Sequence, residues 1–279
     1  MPVVPTVDDL SSLYLDLLQK ILTRTLAPDG CVPGGRIPRT MITGVRDPEI
    51  AKLLAREDLE VVLRTRHDPA ARAEGRDWPL EADTMIGDRR MDNLRACVTD
   101  VVRNGVPGDL METGVWRGGA TIFMRAILKV LGDTERCVWV ADSFQGLPKP
   151  DAERYPADRD CHMWTHRVLA VSEAQVRANF AKYGLLDDQV RFLPGWFRDT
   201  LPTAPVQRLA VLRLDGDLYE STILALRSLY PKLSPGGYLI VDDYSLAFCK
   251  AAVEDYRAEQ NLTEEIIAID YSGVYWKKR

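Results

Sequence analysis

Three observations predict that this 279-residue chain folds as a doubly wound, mostly parallel α/β sheet behind an N-terminal helical cap. From Gly108 onward, short apolar runs alternate with amphipathic stretches, the order strand, helix, strand that builds parallel sheets. Two of the runs, in LRLDGDLYEST (212–222) and YLIVDDYS (238–245), stop at paired carboxylates. The first strand leads through a glycine-rich turn, METGVWRGGAT (111–121), straight into a helix.

Seven strands are predicted, at 109–113, 137–142, 190–193, 209–214, 238–242, 265–269 and 274–277. Their apolar runs are bounded by turn residues and carry little alternation, as suits strands covered on both faces. Helices fit between them at 121–131, 172–183, 221–229 and 247–259. Only Asp270-Tyr271-Ser272-Gly273 separates the last two strands, which predicts an antiparallel hairpin at one sheet edge.

The preceding part divides as a cap, 1–104, in front of a ligand-binding domain, 105–279. Leu10, Leu13, Tyr14, Leu17, Leu18, Ile21 and Leu22 recur at helical spacing. A second helix is announced by Asp47 as N-cap and Pro48 at its first position, burying Ile50, Leu53 and Leu54. The polar stretch 67–79 has little periodicity and reads as a lid or a plain surface loop. A helix over 88–104 buries Met91, Leu94, Cys97, Val98, Val101 and Val102 and ends at Asn104-Gly105.

The net charge of −5 and the lack of a basic run exclude nucleic acid or an anionic membrane as the main partner, because both require clustered Lys and Arg. No stretch approaches the ~20 apolar residues of a membrane span, and the N-terminus does not read as a signal peptide. Five scattered cysteines without a C-x-x-C pair predict reduced thiols in a cytoplasmic protein.

In an open α/β sheet the ligand crevice lies beyond the carboxyl ends of the strands. Asp215, Asp217, Asp242 and Asp243 would therefore meet in one crevice, where they repel one another. A hard divalent cation such as magnesium or calcium is the simplest group to hold them. The alternative is that they are surface turn acids and helix caps, Asp217 above all, since it stands just before a helix.

The glycine turn argues against a dinucleotide. Gly114 is followed by three bulkier residues before Gly118 and Gly119, unlike G-x-G-x-x-G, and Glu112 would repel a pyrophosphate. An acid beside that turn suits an ammonium-bearing ligand. Asp142, at the tip of the second strand, is placed to accept from ribose hydroxyls. Trp196 or Phe197, after the third, are candidates to stack on an adenine, with core packing as the alternative. A nucleoside with a cationic amino-acid tail describes S-adenosylmethionine.

With these blocks in place, the sequence resembles the macrocin O-methyltransferase family, metal-dependent deoxysugar O-methyltransferases of antibiotic biosynthesis. The resemblance is carried by DWPLEADTMIG, RRMDNL, METGVWRGGAT, ADSFQGLPKPD, the stretch from LAVSEAQVRANF to LPGWFRDTLP, LRLDGDLYEST and GGYLIVDDY. It runs from about residue 78 to the C-terminus; the first 70 or so residues match less clearly. It implies the class I S-adenosylmethionine methyltransferase fold, a Rossmann-like seven-stranded sheet. It implies an amino-acid site at Glu112, Thr113 and Gly114 with Thr121 nearby, and a ribose site at Asp142 and Ser143. The adenine side falls at Gly195 and Trp196, and a segment closing over the cofactor at Thr84, Met85 and Ile86. Asp215, which also borders the cofactor, joins Asp242 and Asp243 as magnesium ligands, and Asp217 corresponds to the proposed general base, with Asp215 the other catalytic candidate. A homodimer acting on a small glycosylated substrate is the implied assembly.

The expected chemistry is displacement at a sulfonium methyl carbon by a sugar hydroxyl made acidic by magnesium and deprotonated by Asp217. His162 and His166 are read as surface or loop residues, with substrate contact as the alternative. Three other functions compete: a nicotinamide-dependent sugar oxidoreductase, which the glycine spacing disfavours; a non-catalytic partner protein of the same fold, which the retained carboxylates disfavour; and a methyltransferase of catechols or other phenols.

Overall fold

In the computed structural model the described residues are 6–26, 31–33, 56, 62–64, 68–77, 79 and 81–279. The helix expected after Asp47 lies outside them.

The main sheet has seven strands, β1 (Asp109–Thr113), β2 (Val138–Asp142), β3 (Val190–Pro194), β4 (Leu209–Leu214), β5 (Leu233–Val241), β6 (Ile267–Ala268) and β7 (Val274–Lys277). Their order across the sheet is β3-β2-β1-β4-β5-β7-β6. The first five are parallel, whereas β7 runs antiparallel to β5 and to β6. The chain moves outward from β1 to β3 and then crosses back to place β4 on the other side of β1. That reversal opens the crevice between the tips of β1 and β4.

Described helices cover both faces: α1 (Val7–Leu22), α2 (Pro69–Ala73), α3 (Asp88–Arg103), α4 (Gly119–Val130), α5 (Glu173–Lys182), α6 (Phe197–Thr200), α7 (Tyr219–Leu229) and α8 (Ala247–Gln260). On one face Leu18 and Leu22 of α1 and Met91, Leu94 and Val98 of α3 share a single apolar cluster with Phe123 of α4 and Phe180 of α5. The expected cap thus has its core in common with the sheet. On the other face Leu226, Val253, Tyr256 and Trp276 centre a second cluster. Truncating a side chain as deeply buried as Phe123 or Trp276 to alanine costs about 3–5 kcal/mol.

Local signals account for the boundaries. Thr6 and Asp9 cap α1 reciprocally, the Asp9 amide donating to Thr6 Oγ1 at 3.2 Å and the Thr6 amide to Asp9 Oδ2 at 2.8 Å. The 270–273 turn forms as expected, with the amides of Ser272 and Gly273 donating to Asp270 Oδ1. Two expectations are corrected. The strand anticipated at 265–269 shrinks to Ile267–Ala268, because at the sheet edge only one neighbour supplies bonds and both residues face solvent. Part of the 67–79 loop is the helix α2, started by the Asp68 carboxylate accepting from Ala70 and Ala71. Among the described residues no helix is long and apolar enough to cross a membrane.

Candidate functional site

Beyond the carboxyl tips of β1, β2, β4 and β5 lies a cavity of about 330 Å³, within the usual range for small-molecule sites. Of the residues singled out from sequence, Thr84, Met85, Ile86, Glu112, Gly114, Asp142, Ser143, Trp196, Asp215, Asp217, Asp242 and Asp243 line it.

Three do not. Thr121 is fully buried and its hydroxyl turns back to donate to the Gly118 carbonyl at 2.8 Å. Thr113 sits at 1% exposure inside the sheet. Gly195 shapes the turn after β3 at φ 134°, its amide donating to the Asp142 carbonyl at 2.8 Å. Of the two histidines read as surface residues, His166 lines the cavity and His162 does not.

Oxygen atoms of Asp215, Asp242 and Asp243, one from each, lie within 4.8 Å of one another. Desolvation and the negative charge of Asp242 lift the pKa of Asp215 to about 6. Burial, followed by the charges of Asp217, Asp215 and Asp242, pushes Asp243 well above the usual carboxylate range. Such groups resist ionising together and gain from a cation. The donor set is all oxygen, as magnesium or calcium requires, so the residues present fit a hard divalent ion. Asp217 has a distinct role from its neighbours. It does not cap α7; it adopts the left-handed conformation at φ 58° and donates its amide to Asp243 Oδ2 at 3.0 Å. The cap comes from Asp158, whose two oxygens accept from the amides of Tyr219 and Glu220 at 2.7 and 2.9 Å.

Glu112 stands at the other side of the β1–β4 crevice, 1% exposed. Its Oε1 accepts from Arg213, while Oε2 is buried with no hydrogen-bond partner. Burial pushes this carboxyl to a pKa of about 8, against the pull of Arg213. A buried carboxylate oxygen with nothing to bond costs about 1–3 kcal/mol until a donor arrives, and an ammonium group is such a donor. Asp142 accepts from the amides of Val115 and Phe144 at 2.8 and 2.7 Å and from the Ser143 hydroxyl at 3.5 Å, which fixes its carboxylate at the cavity wall.

The glycine turn is not a phosphate cradle. The first amide of α4, that of Gly119, donates to the Asp83 carbonyl at 2.9 Å, and that of Val115 is held by Asp142. A Cβ on Gly119 would meet Asp83 O at 2.6 Å. The glycine is there so that the 82–86 segment can lie against the helix. That segment is also held by the amides of Asp83 and Thr84 donating to the Leu22 carbonyl, by Tyr183 donating to Asp83, and by Arg72 of α2 donating to the carbonyls of Met85 and Ile86.

Sequence reasoning passed over Arg213, Arg90, Asp158 and Asp270. Arg213 did carry a signal, a charge inside the otherwise apolar strand LAVLRL. Trp116, Phe144 and Asp217 all hold positive φ, and each stands just past a strand tip, where strain is commonly stored at binding sites.

The family model described as macrocin O-methyltransferase (TylF) matches residues 11–278. The chain is 51% identical over 271 residues, 97% of its length and 94% of the relative's, to the 8-demethyl-8-(2,3-dimethoxy-alpha-L-rhamnosyl)-tetracenomycin-C 4'-O-methyltransferase of Streptomyces olivaceus. It is equally 51% identical to the demethyldecarbamoylnovobiocin O-methyltransferase of Streptomyces niveus, over 99% of this chain and 98% of that one. Among solved structures, that of the O-methyltransferase NovP is similar at a TM-score of 0.82 and 51% identity, covering 96% of this chain and 99% of the other.

Proposed function

The chain belongs to the macrocin O-methyltransferase family and is an O-methyltransferase, and we propose that it moves the methyl group of S-adenosylmethionine to a sugar hydroxyl of a glycosylated natural product. Asp215, Asp242 and Asp243 would hold magnesium. One observation carries the reading: a buried, unpartnered carboxylate oxygen of Glu112 and a cluster of three carboxylates open into the same cavity. The sugar acceptor follows from the relatives, one of which is named for a rhamnosyl-bearing tetracenomycin.

When bound, the sulfonium supplies an electrophilic methyl group and magnesium supplies a Lewis acid that makes a ligated hydroxyl more acidic. The protein's own groups do the rest. Glu112 takes the ammonium, Asp142 the ribose hydroxyls, and Trp196 with Phe197 an adenine face. The 82–86 segment, fastened by Arg72, keeps water from the donor. Asp217 receives the acceptor proton, a contribution typically of ~10²–10⁴-fold. Its backbone bond to Asp243 ties the base to the metal ligands. Met163, Leu169, Leu224 and Leu246 offer an apolar wall for the acceptor, with His166 at its edge.

The reading includes a homodimer in the cytoplasm. Val7, Leu10, Leu13 and Leu17, 79%, 55%, 61% and 48% exposed on α1, support an assembly partner, and the free thiols of Cys97, Cys137, Cys161 and Cys249 suit a reducing compartment.

Calorimetric titration with S-adenosylhomocysteine, with NAD as control and with or without magnesium, tests the reading. Saturable binding of the first alone is expected; binding of NAD alone, or of neither, would overturn the donor reading.

A further inference from the structure

Two buried guanidiniums, those of Arg90 and Arg213, engage four carboxylates in and beside the cavity, those of Glu112, Asp215, Asp242 and Asp270. Arg213 is 1% exposed and lies in β4 directly across from Glu112 in the β1 register. Its Nη1 donates to Glu112 Oε1 and, at 2.8 Å, to Asp215 Oδ2; its Nη2 donates to Asp242 Oδ1. Arg90 reaches over from α3 to Asp242 Oδ2 and, through Nε at 2.7 Å, to Asp270 Oδ2. The two arginines therefore differ. Arg213 touches carboxylates of both subsites, whereas Arg90 touches the metal end alone.

From this geometry, and resting on the function proposed above, we propose that Arg213 is a positioning residue that holds the donor's ammonium site and the metal site in one fixed relation. A guanidinium is a rigid planar fork, so the three oxygens it engages are fixed relative to one another. By taking Glu112 Oε1 it leaves Oε2 for the incoming ammonium. By taking one oxygen each of Asp215 and Asp242, the second oxygen of Asp242 being held by Arg90, it fixes the orientation of two of the three clustered carboxylates. A lysine at this position is a point charge on a flexible stem and cannot span all three. Arg213 thereby sets the separation between the donor's ammonium site and the carboxylate cluster that would hold the cation, on which alignment of donor and acceptor would depend.

The test measures two affinities by calorimetry on wild type, Arg213→Lys, Arg213→Gln and Arg90→Lys: S-adenosylhomocysteine alone, and Mn²⁺ alone as a magnesium probe. Arg213→Lys keeps the buried charge, so it reports on a folded protein even where Arg213→Gln does not; circular dichroism matching wild type is the check. For Arg213→Lys both affinities are expected to fall by about tenfold or more, since breaking a buried charge network is costly. For Arg90→Lys the Mn²⁺ affinity falls by a similar factor while S-adenosylhomocysteine stays within about twofold of wild type. An Arg213→Lys variant that lost one affinity and kept the other would overturn the bridging role. So would an Arg90→Lys variant that lost S-adenosylhomocysteine as badly as Arg213→Lys, because that is general loosening. Wild-type protein binding neither ligand would overturn the donor and metal reading, and the bridge with it.

Discussion

Where β1, β4 and β5 end, the cavity is walled by carboxylates set on strand tips and braced by two buried arginines; opposite them, the wall is made of connecting segments fastened from a distance. Glu112, Asp215 and Asp242 sit at or next to hydrogen-bonded strand positions. The 82–86 segment is instead held by Leu22, Tyr183 and Arg72, and the 143–170 segment by Asp158 on the end of α7. The strand tips form a rigid chemical floor and the segments a replaceable enclosure. Changes to the floor should therefore damage chemistry and binding, and changes to the enclosure should damage retention and acceptor affinity.

The sharpest way to break that contrast is at the proposed base. Asp217→Asn should lower turnover by ~10²–10⁴-fold with Mn²⁺ affinity little changed, since Asp217 lies outside the ligand cluster. A large loss of metal binding in calorimetry would mean that its role is misassigned. Next in size is Glu112. Because burial raises its pKa to about 8, the ionised form that an ammonium needs accumulates as pH climbs. S-adenosylhomocysteine affinity should therefore strengthen by up to about tenfold per pH unit below 8 and level off above it. Glu112→Gln should bind weakly with a flat profile; a wild-type affinity that does not change with pH would remove Glu112 from the ammonium site. The sign for stability is opposite. The folded state binds this proton more tightly than the unfolded chain, so the group's contribution falls between its ordinary value of 4.5 and about 8.

The enclosure should respond more mildly. Asp158→Ala removes the cap of α7 and should cost about 0.5–2 kcal/mol in urea denaturation, with a raised acceptor KM and S-adenosylhomocysteine affinity near wild type. A parallel loss of cofactor affinity would show that the two walls are not separable. Smallest is Tyr183→Phe, which frees Asp83 and should cost about 0.5–1.5 kcal/mol; stopped-flow release of S-adenosylhomocysteine a few-fold faster than wild type is the expected reading.

The same division explains what could be read from sequence. The acids of the floor follow apolar runs at once, so a local pattern announces both strand and tip, and all of Glu112, Asp142, Asp215, Asp217, Asp242 and Asp243 reach the cavity. Arg213 lay in plain view within its strand, but its meaning depends on the register that sets it against Glu112. Arg90 and Asp242 are 152 residues apart, and nothing local joins them. Helix α2 did carry the Asp68-Pro69 start signal, yet its five residues are too few for periodicity to show. Thr121, which the resemblance set near the amino-acid site, instead donates its hydroxyl to the Gly118 carbonyl and does not line the cavity.

Gly114 shows how finely the floor is dimensioned. It holds φ 85°, and a Cβ there would fall 1.6 Å from the Asp215 carbonyl oxygen. No side chain, not even a methyl group, can be inserted between these two strand tips without prising them apart. The spacing of the backbones at Gly114 and Asp215 is in effect a ruler of bare main chain, from which the Glu112 and Asp215 side chains project as Arg213 holds them. New acceptors are then accommodated most simply by altering the enclosure while the ruler stays as it is.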